Sequence, residues 1–465
     1  MVPERLQPLL DDTAPLAERF AAAGHRLYLV GGSVRDAILG QPRADSDDLD
    51  FTTDARPDAI EAALRGWADT LWDQGRRFGT IGARKDGRTY EVTTHRAEAY
   101  SPDSRKPEVA FADAVEADLA RRDFTVNAMA LELKTGGSTS ATAELIDPFG
   151  GLADLAGHRL RTPLSPDESF TDDPLRMLRA ARFIAGYGLE PTPELVDAVR
   201  RLRGRLEIVS AERIRAELDK LMVVDNPSAG LWFLVNTGLS DEFVPELSGL
   251  SLEQDPIHHH KDVLAHTIAV VEKTSPDKIL RLAALLHDIG KPKTRSIGPG
   301  GVSFHHHEVV GARMADTRLR ALRYPLDEIA AITRLVELHL RFHGFGTGWS
   351  DSAVRRYARD AGPLLERLNE LTRCDCTTRN QRRAAELARR MDELEERIAV
   401  LREQEELDSI RPDLDGNQIM EQLGIGPSRD VGRARDFLLE LRLDEGPLGE
   451  EEARRRLAAW WEAQH

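Results

Sequence analysis

The spacing of apolar and polar residues changes along the chain, and each change predicts a different kind of structure. Residues 1–24 have the spacing of an amphipathic helix that ends at Gly24. From 27 to about 150, apolar strand-like runs alternate with helices, which predicts an α/β unit. These segments include Ala59–Leu64, Thr80–Ala83, Tyr90–Thr94 and Met129–Leu133. After Gly151 the pattern is almost wholly helical, and 382–408 predicts one long, charged helix.

Two acidic residues stand at the start of the second predicted strand. Asp48 and Asp50 flank Leu49, and Phe51 follows. Residues two apart in a strand share a face, so both carboxylates are expected to point one way, while Leu49 and Phe51 point into a core. Two adjacent carboxylates repel each other unless a cation neutralises them, and oxygen ligands of this kind suit Mg²⁺. An Asp-x-Asp at a strand end is also typical of a solvated sheet edge.

A glycine turn precedes this acidic pair. Gly31, Gly32 and Ser33 end the first apolar run, and a helical pattern that contains Arg35 follows at once. Backbone N–H groups and the positive dipole end at a helix start bind phosphate, and Arg35 would add a charge-assisted donor. A simple turn would have the same sequence. Beside the acidic pair, however, the turn indicates phosphoryl or nucleotidyl transfer, with two Mg²⁺ ions held by Asp48 and Asp50.

The order of these motifs resembles the nucleotidyltransferase superfamily of DNA polymerase beta-like enzymes, and specifically the bacterial tRNA nucleotidyltransferase/poly(A) polymerase family. Residues 121–128 (RRDFTVNA) resemble the sugar-recognition motif of that family, and 147–155 (DPFGGLADL) resemble its head-to-neck hinge. The resemblance covers 27 to about 250. It implies that Arg122, Asp123 and Asn127 contact the sugar and phosphates, and that Arg179 also contacts the nucleotide. Glu91 is a candidate third carboxylate on a neighbouring strand, or an exposed strand residue.

Base selection is expected from the segment DDPLRMLR, which begins at Asp172. Asp173 and Arg176 lie three apart, which predicts one helix face with Pro174 in the first turn. An ionised Asp only accepts hydrogen bonds and an Arg only donates them. Cytosine and adenine present an amino donor beside a ring-nitrogen acceptor, so this pair would accept CTP and ATP and reject UTP and GTP. A surface ion pair is the alternative.

A second site is predicted in the histidine-rich region, because ten of the fourteen histidines lie between 258 and 343. His287 and Asp288 end an apolar helix, and His266 and Asp375 can complete a mixed nitrogen and oxygen metal site. This arrangement resembles the HD phosphohydrolase superfamily, which implies phosphatase or 2′,3′-cyclic phosphodiesterase activity and a divalent metal such as Mn²⁺, Ni²⁺ or Co²⁺. Two further histidines would complete or extend the set, namely His307 and His339. The runs His258–His260 and His305–His307 are expected to be partly exposed.

Composition narrows the class of protein. The 465 residues are long enough for two to four domains. The sequence contains no stretch of 18 apolar residues and no signal-peptide core, so we expect a cytoplasmic protein without membrane contact. Cys374 and Cys376 flank Asp375 too closely for a bridge, which predicts inert thiols.

Charge bears on the partner. The net charge of −16 fits an RNA partner only if cations are concentrated locally. A local excess runs from 200 to 220, where the alternative is a solvated helix face; it consists of Arg200, Arg201, Arg203, Arg205, Arg213, Arg215 and Lys220.

These observations predict an α/β nucleotidyltransferase head with a polymerase beta-like mixed sheet, an all-α neck and body, an α-helical HD domain and a helical C-terminal tail. The expected bounds are 1–160, 161–255, 256–385 and 386–465, with a possible tRNA contact in the tail. The expected function is template-independent addition of CCA to tRNA 3′ ends from CTP and ATP. The alternatives are a poly(A) polymerase, an enzyme restricted to CC or A addition, and an HD-domain RNA-end phosphohydrolase with a non-catalytic head. The sequence leaves the oligomeric state open, because 382–408 has no sustained heptad seam.

Overall fold

The computed structural model describes residues 6–40, 48–99, 108–134, 142–252, 262–298, 301–344, 349–376, 381–405 and 410–464. The chain divides into two compact units, Met1–Phe243 and Val244–His465. The run His258–His260 lies outside the described residues.

A seven-stranded mixed sheet forms the centre of the first unit. The first nine strands are β1 (Leu27–Val30), β2 (Leu49–Thr53), β3 (Thr70–Trp72), β4 (Thr80–Lys85), β5 (Arg88–Thr94), β6 (Arg96–Ala99), β7 (Glu108–Phe111), β8 (Ala130–Lys134) and β9 (Thr142–Ile146). The strand order in the large sheet is β3-β4-β5-β2-β1-β8-β9, and β6 and β7 form a separate antiparallel pair. β2 and β5 run parallel, whereas the other neighbouring strands of the large sheet run antiparallel.

Helices cover the sheet and then continue without it. The helices of the first unit are α1 (Gln7–Ala22), α2 (Gly32–Leu39), α3 (Pro57–Leu64), α4 (Val115–Ala120), α5 (Gly151–Ala156), α6 (Pro166–Asp172), α7 (Leu175–Tyr187), α8 (Pro193–Leu202), α9 (Ala211–Met222) and α10 (Ser228–Asn236). A short parallel pair, β10 (Arg159–Leu160) and β11 (Glu190–Pro191), joins the segments on either side of α6 and α7. The helix α7 packs against α9 and α10, so it forms the centre of the helical part of this unit.

The two faces of the sheet differ in what covers them. On one face, α1 and α3 pack on the strands and bury apolar residues such as Phe20, Ile60 and Phe51. On the other face, Tyr28 and Val30 of β1 join a cluster with α4. Asp50 alternates with Phe51 and therefore belongs to this second face.

The second unit is helical apart from one hairpin. Its elements are α11 (Val263–Lys273), α12 (Lys278–Leu286), α13 (Lys291–Thr294), β12 (Arg295–Gly298), β13 (Gly301–Phe304), α14 (His307–Ala321), α15 (Leu326–Leu338), α16 (Asp351–Ala361), α17 (Leu365–Asp375), α18 (Gln381–Glu405), α19 (Gly416–Leu423), α20 (Arg429–Glu445) and α21 (Glu450–Gln464). The last three helices share a small apolar core that includes Ile419, Leu438 and Leu457.

Most of the predicted elements are confirmed. The runs Thr80–Ala83, Tyr90–Thr94 and Met129–Leu133 fall in β4, β5 and β8, whereas Ala59–Leu64 belongs to the helix α3. The long charged helix is confirmed as α18, and the hairpin of β12 and β13 was not anticipated. The four domain boundaries stay a prediction, since the chain separates into two units.

Two further expectations concern the whole chain. Within the described residues, no helix combines the length and the apolarity needed to cross a bilayer. Cys374 and Cys376 are both free thiols, as predicted.

Candidate functional site

The turn between β1 and α2 requires glycine. Gly31 has φ +75° and ψ −140°, a conformation that other residues adopt only under strain. A Cβ atom at Gly31 would lie 3.1 Å from Nη1 of Arg122 and 3.7 Å from Oδ2 of Asp50. The turn therefore brings the start of α2 close to an arginine and a carboxylate. Next along the chain, the Ser33 hydroxyl lies 3.5 Å from the backbone carbonyl oxygen of Asp48.

The candidate carboxylates lie on adjacent strands. Asp50 of β2 is the register partner of Glu91 of β5, so the two side chains share one face of the sheet. Asp48 directly precedes β2 and is exposed. Leu49 and Phe51 are 0% and 1% exposed, which confirms that they point into the core.

Electrostatics at this position favour a cation. Burial raises the pKa of Asp50, the Asp48 carboxylate raises it further, and Arg122 opposes the shift. Burial and the carboxylates of Asp50 and Asp48 also raise the pKa of Glu91. A divalent cation would remove this mutual repulsion, so the donor set fits a hard metal ion. Among the described residues, however, only groups in the second unit bring three or more such ligand atoms within 4.8 Å of one another. The assignment of metal ions to Asp48 and Asp50 therefore stays a prediction.

A cavity of about 380 Å³ opens beside these carboxylates. Its lining includes most of the predicted nucleotide contacts, namely Gly31, Gly32, Arg122, Asp123, Asn127, Asp173, Arg176 and Arg179. Three arginines that were not predicted also line it, namely Arg96, Arg121 and Arg213. The six arginines offer charge-assisted donors that suit a polyphosphate, next to the carboxylates of the same cavity. Ser33 and Arg35 are not part of this lining.

Arg35 is instead held inside the protein. Its guanidinium donates from Nη1 to Oδ1 of Asn127 at 2.6 Å and from Nε and Nη2 to the carboxylate of Asp36 at 2.8 and 2.9 Å. It also bonds the Tyr187 hydroxyl and lies 4.1 Å from the centre of that ring. Asp36 thus orients Arg35. A phosphate contact from Arg35 would require these bonds to exchange.

The carboxylate of Asp118 holds two arginines at the cavity. It is fully buried and accepts from Nη2 of Arg122 at 3.2 Å, from Nε of Arg121 at 3.3 Å and from the backbone N–H of Arg96 at 3.3 Å. Burial alone would raise the pKa of Asp118, but the arginines outweigh it and lower the pKa. The sequence carried a signal for this role, because Asp118 lies three and four residues before Arg121 and Arg122.

Asp123 connects the sheet-containing part to α7. Its Oδ2 accepts from Nε of Arg179 at 2.8 Å, and its Oδ1 accepts from Nδ2 of Asn127 and the backbone N–H of Phe124, both at 2.9 Å. Burial opposes ionisation, but Arg179 and Asn127 outweigh it and lower the pKa of Asp123 to about 2. Any ribose contact from Asp123 or Asn127 would compete with these bonds.

The predicted base-selecting residues both line the cavity, but not on one helix face. Asp173 has φ −137° and ψ 98°, outside α6 and α7, because a residue that precedes proline is pushed into the extended region. The prediction of a shared helix face is therefore wrong. Oδ2 of Asp173 accepts from Nη2 of Arg213 at 3.0 Å, and Nη1 of Arg176 donates to the Ser169 hydroxyl at 2.9 Å.

The basic segment from 200 to 220 is largely paired with acidic groups. Arg200, Arg201 and Arg203 form ion pairs with Asp197, Asp167 and Asp241, and Arg213 and Lys220 pair with Asp173 and Glu217. Its local positive charge is therefore smaller than the sequence suggested.

The second site forms in the second unit where α11, α12 and α17 meet. Nε2 of His266 lies 2.9 Å from Oδ1 of Asp375. Nε2 of His287 lies 3.6 Å from the same oxygen and 3.2 Å from Oδ2 of Asp288. The four residues predicted from the sequence are therefore neighbours.

Two further histidines complete this cluster. His307 at the start of α14 has its Nε2 3.4 Å from Oδ1 of Asp288, and the His339 ring centre lies 5.2 Å from that of His287. Asp288, His307 and His339 form one group of ligand atoms within 4.8 Å of one another. His266, His287 and Asp375 form the other. The sequence indicated both added histidines only as possible extensions.

The histidine rings are oriented like metal ligands. In His287, His307 and His339 the Nδ1 atom lies 2.6–2.8 Å from a backbone carbonyl three residues earlier. Nδ1 must donate to that carbonyl, which leaves each Nε2 as the free coordinating atom. All three Nε2 atoms are buried and lack a hydrogen-bond partner. Buried polar atoms are rarely left unpaired, so this arrangement fits a divalent metal.

Two side chains, a neutral histidine and a lysine, affect the electrostatics of this second site. Burial lowers the pKa of His339 to about 3, with the neighbouring His287 contributing in the same direction, so its ring is neutral. Lys291, which the sequence analysis missed, places Nζ 2.6 Å from Oδ2 of Asp288 and is itself buried. Its position three residues after Asp288 in the helix-ending sequence was the available signal.

Family models match three successive parts of the chain. The family model described as "Poly A polymerase head domain" matches residues 27–161. "Probable RNA and SrmB-binding site of polymerase A" matches 188–250, and "HD domain" matches 257–399.

Among curated relatives, the CCA-adding enzyme of Latilactobacillus sakei subsp. sakei is 38% identical over 250 residues, which cover 53% of this chain and 59% of that protein. The match therefore spans less than two thirds of the length of that relative. The A-adding tRNA nucleotidyltransferase of Deinococcus radiodurans is 32% identical over 453 residues, which cover 93% of this chain and 95% of that protein.

The crystal structure of Bacillus stearothermophilus CCA-adding enzyme in complex with CTP matches with a TM-score of 0.69 and 21% identity, over 100% of this chain and 99% of that one. At this identity the match establishes the fold. The predicted fold class, a mixed-sheet head followed by helical segments, is thereby confirmed.

Proposed function

Because the chain belongs to the tRNA nucleotidyltransferase and poly(A) polymerase family, we propose that it adds CCA to tRNA 3′ ends from CTP and ATP without a template. The observation that carries the proposal is the row of carboxylates beside the glycine turn. Asp50 and Glu91 are register partners at a cavity that six arginines line. Carboxylates that favour a cation, next to donors that favour phosphates, are what nucleotidyl transfer requires.

Each group has a proposed role. Asp48, Asp50 and Glu91 would hold Mg²⁺, which supplies Lewis-acid chemistry at the RNA 3′-hydroxyl and at the departing pyrophosphate. Gly31 and Gly32 allow the triphosphate to approach the start of α2. Arg122 neutralises phosphate charge, and Asp118 fixes its position.

Base selection is assigned to the opposite wall of the cavity. Asp173 would accept from the amino group of cytosine or adenine, and Arg176 would donate to the ring nitrogen. Their present partners, Arg213 and the Ser169 hydroxyl, hold both side chains in place until a base arrives. In UTP and GTP a carbonyl acceptor would face the Asp173 carboxylate and an N–H donor would face the Arg176 guanidinium. Neither hydrogen bond could form, so these nucleotides are disfavoured.

The proposal is tested with a tRNA transcript that lacks its last three nucleotides. Incubation with CTP, ATP and Mg²⁺ followed by sequencing should show CCA, and Asp50→Asn should abolish incorporation. Asp54→Asn is the matched control, because Asp54 lies beyond β2 and pairs with Arg26. A long A tail without C would identify a poly(A) polymerase instead.

One observation favours a narrower activity as the second candidate. One relative that matches almost the full chain is an A-adding tRNA nucleotidyltransferase. A transcript that ends in CC distinguishes the two cases. Addition of A to that transcript, together with no addition of C to the shorter one, would establish an enzyme restricted to the terminal A.

The second unit supports a separate hydrolytic activity. Six candidate ligands form two groups of three that meet at His287 and Asp288, namely His266, His287 and Asp375, and Asp288, His307 and His339. A metal there, such as Mn²⁺, Ni²⁺ or Co²⁺, would supply an activated water for hydrolysis of phosphate esters. Hydrolysis of 2′,3′-cyclic AMP should depend on added metal, be lost in Asp288→Asn and persist in Asp50→Asn. The opposite pattern would assign the hydrolysis to the head.

Two properties remain predictions. A cytoplasmic location is expected from the sequence alone, and the tail is the expected contact for tRNA.

A further inference from the structure

One row of residues crosses the sheet from the candidate metal site to its edge. Asp50 of β2 is the register partner of Glu91, Glu91 is the partner of Gly82, and Gly82 is the partner of Trp72. Register partners share a face of a sheet, so Trp72 lies on the same face as the two carboxylates.

The side chain of Trp72 lies flat over Gly82. A Cβ atom built on Gly82 would stand 2.1 Å from Cε2 and Nε1 of the indole and 2.5 Å from Cζ2. Such distances are too short for any real side chain, so the indole occupies the space that only a glycine leaves open. The ring thus extends from the sheet edge towards Glu91, the next residue in the row.

The indole of Trp72 makes no ring–ring contact and no hydrogen bond within the described part of the chain. Trp67 differs in this respect, because its ring packs 5.0 Å from Tyr90, which alternates with Glu91 and belongs to the opposite face. Trp72 is half-buried, so part of its side chain is accessible to a ligand.

A cation lies on the same face. Arg84 follows Gly82 by two residues on β4 and is exposed. Among the residues that the structure describes, no carboxylate pairs with it. The face therefore presents carboxylates on β2 and β5, a guanidinium on β4, and an aromatic plane that reaches over β4 from the edge strand β3.

We propose that Trp72 is the stacking platform for the terminal base of the RNA whose 3′-hydroxyl is extended, with Arg84 contacting the preceding phosphate. This inference rests on the proposed nucleotidyl transfer. Neighbouring strands lie about 4.8 Å apart, so the backbone of Trp72 is about 10 Å from that of Glu91, and the indole over Gly82 reduces the gap. A nucleoside stacked there would direct its sugar towards Asp50 and Glu91.

Stacking suits this substrate for a chemical reason. In stepwise CCA addition, the terminal base is first the last base of the tRNA itself and then cytosine, so a hydrogen-bonding pocket for one base would reject another. An aromatic plane accepts every base, because each has a π face. Recognition of the terminal nucleotide by stacking, and of the incoming nucleotide by hydrogen bonds, would separate the two tasks.

The test compares Trp72→Ala with the wild-type protein on two RNA primers. One primer ends in an ordinary nucleotide, and the other has an abasic sugar at that position. Trp72→Ala should lower kcat/KM for the ordinary primer by ~10- to ~100-fold. It should leave the KM for CTP unchanged and cause little further loss on the abasic primer. Trp72→Phe should restore most of the activity, and Trp67→Phe, on the opposite face, should not alter the ratio between the primers.

The outcomes separate this inference from the function on which it rests. An equal loss from Trp72→Ala on both primers, or a loss that follows a lower Tm and persists in Trp72→Phe, assigns the indole to packing over Gly82 and overturns the inference. Incorporation by Asp50→Asn would overturn the proposed function itself, and this inference with it. Full activity of wild type and none of Asp50→Asn, with unequal primer effects of Trp72→Ala, supports both.

Discussion

Replacement of Asp123 by asparagine should destabilise the first unit by an amount that the structure specifies. The side chain is only 8% exposed, and its carboxylate bonds Arg179, Asn127 and the Phe124 amide. The pKa of Asp123 falls from 3.8 to about 2 on folding, although burial opposes the change, because Arg179 and Asn127 favour the ionised form. A difference of this size corresponds to roughly 2 kcal/mol of stability, because each pH unit is worth about 1.4 kcal/mol.

The dependence on pH has a definite sign. Because the folded pKa lies below the unfolded one, the stabilisation is fully present above pH 3.8 and is lost as the pH falls through about 2. Asp123→Asn removes the charge and keeps the shape. Its deficit in the free energy of unfolding should therefore be constant from about pH 7 to pH 5 and should shrink below about pH 4.

The assay is urea unfolding followed by far-UV circular dichroism, for wild type, Asp123→Asn, Arg179→Met and the double variant. The coupling energy between the two positions should be about 2 kcal/mol. Asp113→Asn is the matched control, because that side chain is 99% exposed. A coupling below about 0.5 kcal/mol, or a deficit that grows as the pH falls, would refute the reasoning.

Three further predictions concern the two sites. Gly31→Ala should lower nucleotide incorporation by about tenfold or more, because φ is +75° and the new Cβ would approach Arg122; an unaffected rate in a folded variant would contradict this. Asp118→Ala should release Arg122 and lower kcat/KM for CTP by roughly 10- to 100-fold, and Asp118→Glu should restore part of that activity. Steady-state kinetics measures both effects, and an unchanged kcat/KM in Asp118→Ala would contradict this role. His339→Ala should reduce the metal affinity of the second unit by at least ~10-fold, measured by elemental analysis after dialysis. Nucleotide incorporation on tRNA should stay at the wild-type level. Equal metal content in the variant and the wild type would exclude His339 as a ligand.

The parts of the site that were predictable from sequence are those coded by short-range spacing. The glycine turn lies between β1 and α2, and Asp48 and Asp50 lie at the start of the next strand, so helix-start and alternation rules place them directly. His287 and Asp288 end one helix, and their position was recognisable for the same reason. The effect of Pro174 is also local, but we misjudged it from the sequence. We expected Asp173 and Arg176 on one helix with Pro174 in its first turn, whereas Pro174 forces Asp173 into an extended conformation between α6 and α7.

What sequence reasoning missed depends on register and packing between distant segments. The row from Asp50 to Trp72 requires the order of four strands, which no local pattern encodes. Arg35 looked like a phosphate ligand, but Asn127 and Tyr187 hold its guanidinium from 92 and 152 residues away. His339 is recognisable as a candidate metal ligand only from the fold, which places its ring beside that of His287.

The most direct measurement is anomalous diffraction from crystals grown with Mn²⁺ and a non-hydrolysable analogue of CTP. The account predicts manganese peaks between the triphosphate and the carboxylates of Asp48 and Asp50, with the cytosine against Asp173 and Arg176. An analogue bound in this cavity without manganese at those carboxylates, or bound elsewhere, would contradict it.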